Sequence, residues 1–301
     1  MALFINTNVA SLGAQRSLAT SGAELKTAME RLSSGKKINS AADDAAGFAI
    51  AERMTAQIRG LNMATKNAND GLSMLGVIEN ATNDVTDMLH RMRELAIQAT
   101  NDTNSDEDRA FLQKEVTALI AEIDRVAEDT QYNGQTVLDG TFLSKSIQVG
   151  TEKGQTITFS VNGIGTNKIG TQPVTAVTEV TDGSGNITTP GVTGVTAAYV
   201  SGIDIKDAAG AQAGLQVITD AIEQVAGDRA TYGALQNRLE YTVSNLMNVA
   251  EFTTAARSRI EDADFAAESA RLAKAQVLQQ TGTAMLAQAN ASSQLALSLI
   301  R

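Results

Sequence analysis

Residues 1–135 and 205–301 contain no proline and repeat apolar residues at helical spacing. The stretch between them holds both prolines of the chain, Pro173 and Pro190, and 11 of its 24 glycines. A helix interior rejects proline, because the ring removes an N–H donor and clashes with the preceding turn. Two helical arms far apart in sequence, around a turn-rich centre, predict arms that pack on each other while the centre is displayed. The expected fold class is mainly α. It is a long antiparallel helical bundle or coiled coil formed by the N- and C-terminal segments, with a β-hairpin and a small β-rich exposed insert in the middle.

The arms read as five helices. Leu18, Leu25 and Leu32 are seven apart, with Ala14 and Ala28 on the same stripe, and Gly35 fits the left-handed position that ends a helix. Ser40 to Asp43 reads as a capping box with Ser40 as N-cap. Met54, Leu61, Leu75, Ile78, Val85, Leu89, Met92, Ala96 and Ala99 then hold one alternating 3,4 seam. After a polar turn at Asn101–Asn104, Ser105 and Asp108 make another capping box. Leu112, Val116, Leu119, Ile123 and Val126 form the next stripe. Leu215, Ile218, Ile222, Val225, Tyr232, Leu239, Val243, Leu246 and Ala250 supply the long return partner, a seam interrupted by Arg229 and Gln236. Ser258 with Glu261 reads as a capping box at a break. The last helix, from about Asp264 to Leu299, places Ala275, Leu278, Gly282, Met285, Ala289, Ser292, Ala296 and Leu299 on its seam. The core helix seams are thus carried by Leu75, Val85, Leu89, Leu112, Val116, Leu119, Ile222, Leu239 and Leu246.

The centre alternates instead. Ser146–Val149 and Thr156–Val161, with Lys153-Gly154 in the turn between them, read as a β-hairpin. Asp182-Gly183 and Pro190-Gly191 mark turns in a small, Thr- and Val-rich insert of about 30 residues.

The two terminal helices carry narrow apolar stripes. At ~25 cal/mol/Å², burying them on each other hardly offsets ~1.5 kcal/mol per residue of ordering entropy. They are therefore expected to be mobile in the monomer and to fold on meeting copies of themselves, with Leu18, Leu25, Leu32, Leu278, Met285 and Leu299 as self-assembly seams. A head-to-tail contact that does not close builds a filament.

Charge and composition exclude other classes. The formal net charge is −10 and no basic run exceeds Lys36-Lys37, which argues against nucleic acid. Cysteine is absent, removing disulfides and thiolate metal sites. Residues 275–300 carry no charge, but Gln276, Gln279, Gln280, Gln288, Asn290 and Gln294 break the apolar run, so no membrane insertion is expected. The N-terminus lacks the basic start and apolar core of a signal peptide.

Nothing assembles into a catalytic constellation. The single histidine, His90, has no His or Cys partner. Asp43-Asp44 and Asp262/Asp264 lie at expected helix starts, where capping is the better account. Gly163-Ile164-Gly165 lacks the strand–turn–helix context of a phosphate loop. Met54, Met88, Met92, Met247 and Met285 fall on or beside seams and read as core or interface filler. The expectation is that the chain is not an enzyme and needs no cofactor.

Several long motifs, in order, resemble bacterial flagellin. They are Phe4–Asn8, the block Leu32–Gly47, Arg93-Glu94-Leu95-Ala96-Ile97-Gln98, Asn133-Gly134-Gln135, Ser258–Phe265, and the closing Gln276-Val277-Leu278-Gln279-Gln280. The match covers about the first 170 residues and the last 95. The resemblance implies a subunit that self-polymerises into the flagellar filament, exported unfolded through the type III apparatus and assembled at the distal tip, outside the cell. It implies terminal helices at 1–43 and 261–301 forming an inner tube, a helical core with hairpin at 44–171 and 205–260 forming an outer tube, and a variable insert at 172–204.

The implied partners are further copies of the chain, the flagellar cap and hook-associated proteins, and an export chaperone at the C-terminal helix. Recognition by Toll-like receptor 5 is implied through Arg91, Leu95 and Glu115. The alternative within the same superfamily is the hook–filament junction protein. The Asp43–Gly47 continuation and the Gln-rich end look more like filament flagellin.

Overall fold

A computed structural model describes the backbone of residues 8–171, 180–181, 187–189 and 198–298. Its helices are α1 (Val9–Ser34), α2 (Ala45–Ala99), α3 (Asp106–Asp129), α4 (Ala208–Glu261) and α5 (Phe265–Ser298). Among the described residues between α3 and α4 lie eight short strands: β1 (Gln131–Tyr132), β2 (Gln135–Thr136), β3 (Lys145–Gln148), β4 (Thr156–Phe159), β5 (Gly170–Thr171), β6 (Val180–Thr181), β7 (Ile187–Thr189) and β8 (Ala198–Tyr199). The chain divides into two compact units, residues 1–60 with 249–301, and residues 61–248.

In the larger unit the seam of α2 is continuous. Residues 61, 64, 68, 71, 75, 78, 82, 85, 89, 92, 96 and 99 alternate by 3 and 4, and all are buried. Small residues at Ala64, Ala68 and Gly71 let neighbours approach. A Cβ on Gly71 would strike Ile147 of β3 and touch Leu239 of α4. Arg229 of α4 donates to Glu79 of α2 from Nε at 3.0 Å and Nη2 at 2.7 Å. The pairs 71/239 and 79/229 run in opposite directions, so α2 and α4 are antiparallel here. Val116 and Ile123 of α3 are buried against the same core, with Leu112, Leu119 and Ile222 half-buried around it.

The seam of α4 differs from expectation. Residues 211, 214, 218, 221, 225, 228, 232, 235, 239, 242 and 246 alternate by 3 and 4. Ala211, Gly214, Ile218, Ala221, Val225, Tyr232, Leu235, Leu239 and Leu246 are buried. Arg229 and Gln236 therefore do not interrupt it; Leu235 fills the place expected of Gln236, and Arg229 lies beside the seam on Glu79.

Turns follow local chemistry. Ser105 and Asp108 form the reciprocal capping box of α3. Asn133 (φ 50°) and Gly134 (φ 75°) both adopt positive φ between β1 and β2, the two-residue turn that Asn-Gly favours. β3 and β4 form the expected hairpin, with Ile147 opposite Ile157. β5 pairs with β8, Gly170 opposite Tyr199, and β6 pairs with β7.

The insert expected over 172–204 is shorter at its C-terminal end, because Val200 and Ile203 are buried in the core. Pro173, Pro190, Asp182-Gly183 and Pro190-Gly191 lie outside the described residues.

In the smaller unit, α1 ends at Gly35, whose φ of 72° is left-handed and whose N–H reaches the Arg31 carbonyl. Two of the expected capping boxes are replaced. The Asp43 carboxylate accepts from the Asn39 and Ser40 N–H groups, folding a turn before α2. Asp44 caps α2 itself, accepting from the N–H groups of Ala46 and Gly47. Ser258 lies within α4, and it is Asp264 that caps α5, through Ala266 and Ala267. In each case an aspartate immediately before the helix outcompetes the serine further back.

Candidate self-assembly surface

α1 and α5 pack antiparallel. At one end Asn8 donates to the Ala289 carbonyl and Ser11 to Asn290 Oδ1, both at 2.9 Å. At the other end the segments 35–37 and 261–263 pair. The Lys37 N–H reaches the Glu261 carbonyl at 2.6 Å, the Ala263 N–H reaches the Gly35 carbonyl at 2.9 Å, and the Lys36 ammonium contacts the Glu261 carboxylate. Arg257 of α4 also approaches Glu261 and donates to Thr55 of α2 at 3.2 Å.

The helix faces between these ends are thin. On α1, residues 11, 14, 18, 21, 25, 28 and 32 keep the 3,4 alternation. Only Ser11, Ser21 and Ala28 are fully buried, while Leu18, Leu25 and Leu32 are half-buried. On α5 the face turned inward is Glu268, Leu272, Ala275, Gln279, Gly282, Leu286 and Ala289. The expected seam through Leu278 and Met285 is thus corrected within the subunit. Gln279 and Leu286 take those places, leaving Leu278 42% and Met285 63% exposed. The same face includes the half-buried Leu272 and the buried Glu268, which pairs with Arg271 of its own helix at 3.3 Å.

Beside the two exposed side chains runs a groove of about 440 Å³ lined by Gly13, Ala14, Ser17, Gly282, Gln288 and Ala289, among others. Leu12 and Val277 are also exposed. A half-buried helix pair that turns Leu278, Met285, Leu12 and Val277 to solvent offers apolar surface for a partner helix. Leu299 lies outside the described residues, and the side chains of Ser292 and Ala296 are not among those described.

The surface group expected at Arg91, Leu95 and Glu115 is partly corrected. Arg91 and Glu115 are exposed and joined at 2.8 Å, with Glu94 at 3.0 Å from Arg91; these bonds hold the Arg91 guanidinium above its ordinary pKa. Leu95, however, is 1% exposed and belongs to the core. Its position one residue before the seam residue Ala96 turns it inward, which a periodicity reading of a single stripe misses. His90 is exposed. Met247, read as core or interface filler, is exposed as well.

The sequence reading also missed Asp228. This carboxylate sits on the α4 seam and accepts from Asn162 Nδ2 at 2.7 Å, while its Oδ2 is buried without a partner. Burial pushes its pKa up, against the opposing Asn162 bond. Tyr232, one turn on, is pushed up to about 12, first by burial and then by the Asp228 charge. The spacing 221, 225, 228, 232 was the available signal.

Comparison with known proteins agrees with this architecture. The bacterial flagellin N-terminal helical region matches residues 5–142, and the bacterial flagellin C-terminal helical region matches residues 215–300. Flagellin B of Vibrio cholerae is 36% identical over 375 residues, and so is polar flagellin A of Vibrio parahaemolyticus. In both comparisons the whole of each chain is covered. A flagellar hook-associated protein structure from Vibrio parahaemolyticus shares the fold at TM-score 0.57 and 16% identity, covering 73% of this chain and 100% of that one.

Long helices packed on continuous seams, matched at both ends by flagellin helical regions, place the chain in the class of helical structural subunits. The chain is a member of the bacterial flagellin family. It is a structural subunit of the flagellar filament rather than an enzyme.

Proposed function

We propose that filament growth uses the outward faces of α1 and α5. The observation that carries this reading is the exposure of Leu278 and Met285 beside a groove of small residues, on a helix pair whose own buried face is thin. Small side chains let helices approach closely, and a second copy's helix covers the apolar surface left open. Leu18 packs against α5 at Gly282, and Leu25 and Leu32 lie half-buried on the same stripe of α1. The ordering of α1 and α5 is completed by assembly, because the energy of so narrow a seam barely offsets the entropy of fixing it.

On this reading residues 1–43 and 261–301 form the inner tube, 44–171 and 205–260 the outer tube, and the displayed surface insert lies between 172 and 199, with Val200 and Ile203 belonging to the core. The subunit is exported unfolded by the type III apparatus and added at the distal tip outside the cell. Its α5 is masked beforehand by an export chaperone and met at the filament ends by cap and hook-associated proteins. No described helix is long and apolar enough to cross a membrane. The exposed Arg91–Glu115 pair is the contact offered to Toll-like receptor 5, with Leu95 supporting it from inside.

The test is negative-stain microscopy of purified monomer after addition of short filament seeds. Long uniform tubes support the reading. Persistent monomers defeat it, and short stubs confined to hook ends assign the chain to the hook–filament junction.

A further inference from the structure

The chain has nine methionines and no cysteine, so thioethers are its only sulfur. Their environments differ sharply. Met74 and Met92 are buried in the core, whereas Met29, Met63, Met247 and Met285 are exposed. Of these four only Met285 lines the groove between α1 and α5. Its neighbours there include Gly13, Ala14, Gly282 and Ala289, none of which carries bulk enough to screen the sulfur from solvent.

We infer that Met285 is a reversible oxidation site of the free subunit, open to peroxide-class two-electron oxidants, and that its oxidation blocks self-assembly. This rests on the assembly face proposed above. A lone pair on Sδ attacks one oxygen of hydrogen peroxide. The S–O bond forms as the O–O bond breaks, the departing hydroxide takes the proton from the transferred oxygen, and water leaves. The sulfur is oxidised by two electrons and the peroxide is reduced by two. Reductases of the methionine sulfoxide class reverse the change at the cost of a thiol pair.

The consequence follows from polarity. A thioether packs as an apolar side chain, whereas a sulfoxide is a strong hydrogen-bond acceptor. The nearby Thr281 hydroxyl is engaged with the Val277 and Leu278 carbonyls at 3.0 and 3.1 Å. A partner helix covering the groove with apolar surface leaves the new acceptor dry and unpaired, which weakens assembly about tenfold or more. Met29, Met63 and Met247 do not line the groove, so sulfoxides there do not meet the helix that covers it. The absence of thiols means that no cysteine intercepts the oxidant first.

The experiment treats monomer with a graded series of hydrogen peroxide doses. It maps sulfoxide occupancy at each methionine by peptide mass spectrometry and measures elongation from untreated seeds. Elongation by the wild type should fall in step with occupancy at position 285, not with that at 29, 63 or 247, and return after sulfoxide reductase treatment. Met285→Leu should elongate untreated and keep doing so at doses that stop the wild type. Undiminished elongation of wild type with position 285 fully oxidised overturns the inference, as does an equal loss in treated Met285→Leu. If Met285→Leu fails to elongate even untreated, the occupancy correlation and its reversal by reductase decide. Failure of untreated wild type to elongate overturns the assembly reading itself, and this inference with it.

Discussion

Gly282 of α5 faces Leu18 of α1 so closely that a Cβ on the glycine would lie 3.2 Å from Leu18 Cδ1 and 3.9 Å from its Cβ. The obstructing atom is the end of a flexible side chain, so a methyl can be accommodated and a branched side chain cannot. Gly282→Ala should hold or raise the helicity of α5, since alanine is favoured over glycine in a helix interior by about 1 kcal/mol. Gly282→Leu should separate α1 from α5. Limited proteolysis reads the difference: cleavage within 9–34 and 265–298 should accelerate for the leucine variant only, with residues 61–248 protected as before.

Leu278 and Leu25 differ in what they touch. Leu278 is on the exposed rim, whereas Leu25 is half-buried in the α1–α5 seam. Leu278→Asp should leave the monomer's circular dichroism unchanged and abolish seeded elongation. Leu25→Asp should abolish elongation and also expose both terminal helices to protease. Both should unfold in the 61–248 unit at the wild-type denaturant midpoint. Normal tubes from either variant would remove the terminal helices from the assembly face.

Arg109 does structural work in the larger unit. It is 8% exposed, and it donates from Nε to the Ala99 carbonyl at 2.9 Å and from Nη2 to that of Asn101 at 3.3 Å, closing the C-terminus of α2. Helix ends leave carbonyls without partners, and a buried one left so costs ~1–3 kcal/mol. Arg109→Ala should lower the unfolding free energy by roughly 2 to 3 kcal/mol. Arg109→Lys should recover only part of it, because an ammonium cannot span both carbonyls as the guanidinium fork does. Urea titration of the two variants checks the order; a lysine variant equal to wild type would show that charge alone suffices.

The helix seams show what could be read from residues alone. The seam of α2 was legible because large apolar side chains occupy both of its heptad positions, as at Leu75, Ile78, Val85 and Leu89. In α4 and α5 only one of the two was legible. On α5, Ala275, Gly282 and Ala289 are seven apart, and either Leu278 and Met285 or Gln279 and Leu286 completes a 3,4 alternation. Hydropathy favours the first pair, yet packing against α1 takes the second, on the face that also holds Glu268 and Leu272. On α4 the shared positions are 218, 225, 232, 239 and 246; the residues three on, at 221, 228 and 235, face inward rather than those four on. A small or polar residue at the second position leaves rotation about the helix axis undetermined until a partner is present. That same ambiguity placed Leu278 and Met285 on the seam, although within the subunit both remain uncovered. Leu95 failed differently: the core surrounds α2 on more than one side, which a single stripe cannot express.

The Asp228 carboxyl makes stability depend on pH. Its folded pKa is raised by burial above the unfolded value of about 3.9, so the folded state holds the proton more tightly. Its contribution is fully present below the unfolded pKa and is lost as pH rises through the folded one. Asp228→Asn retains an acceptor for Asn162 Nδ2 without the charge. It should stabilise the chain at pH 7 by on the order of 1 kcal/mol, and the gain should shrink as pH approaches 4. Denaturant midpoints at pH 4, 5.5 and 7 test this; a gain independent of pH would place the cost elsewhere than in the charge.

Charge is divided unevenly between the two units. Residues 1–60 and 249–301 carry 12 Lys and Arg against 10 Asp and Glu, whereas residues 61–248 carry 12 against 24. The terminal helices can therefore meet other copies with little net repulsion. Each added subunit nevertheless brings the twelve excess negative charges of residues 61–248 into a crowded array. The Debye length falls from about 30 Å at 0.01 M salt to about 8 Å at 0.15 M, so that repulsion is long-ranged at low salt and local at physiological salt. An apolar contact alone changes little over this range. Raising sodium chloride from 10 to 150 mM should thus lower the monomer concentration at which seeds stop growing, by roughly threefold to tenfold. Sedimentation of seeded reactions measures that concentration directly. A constant value across the range would mean that the acidic unit does not oppose growth, and that the balance of assembly is set by the α1–α5 surfaces alone.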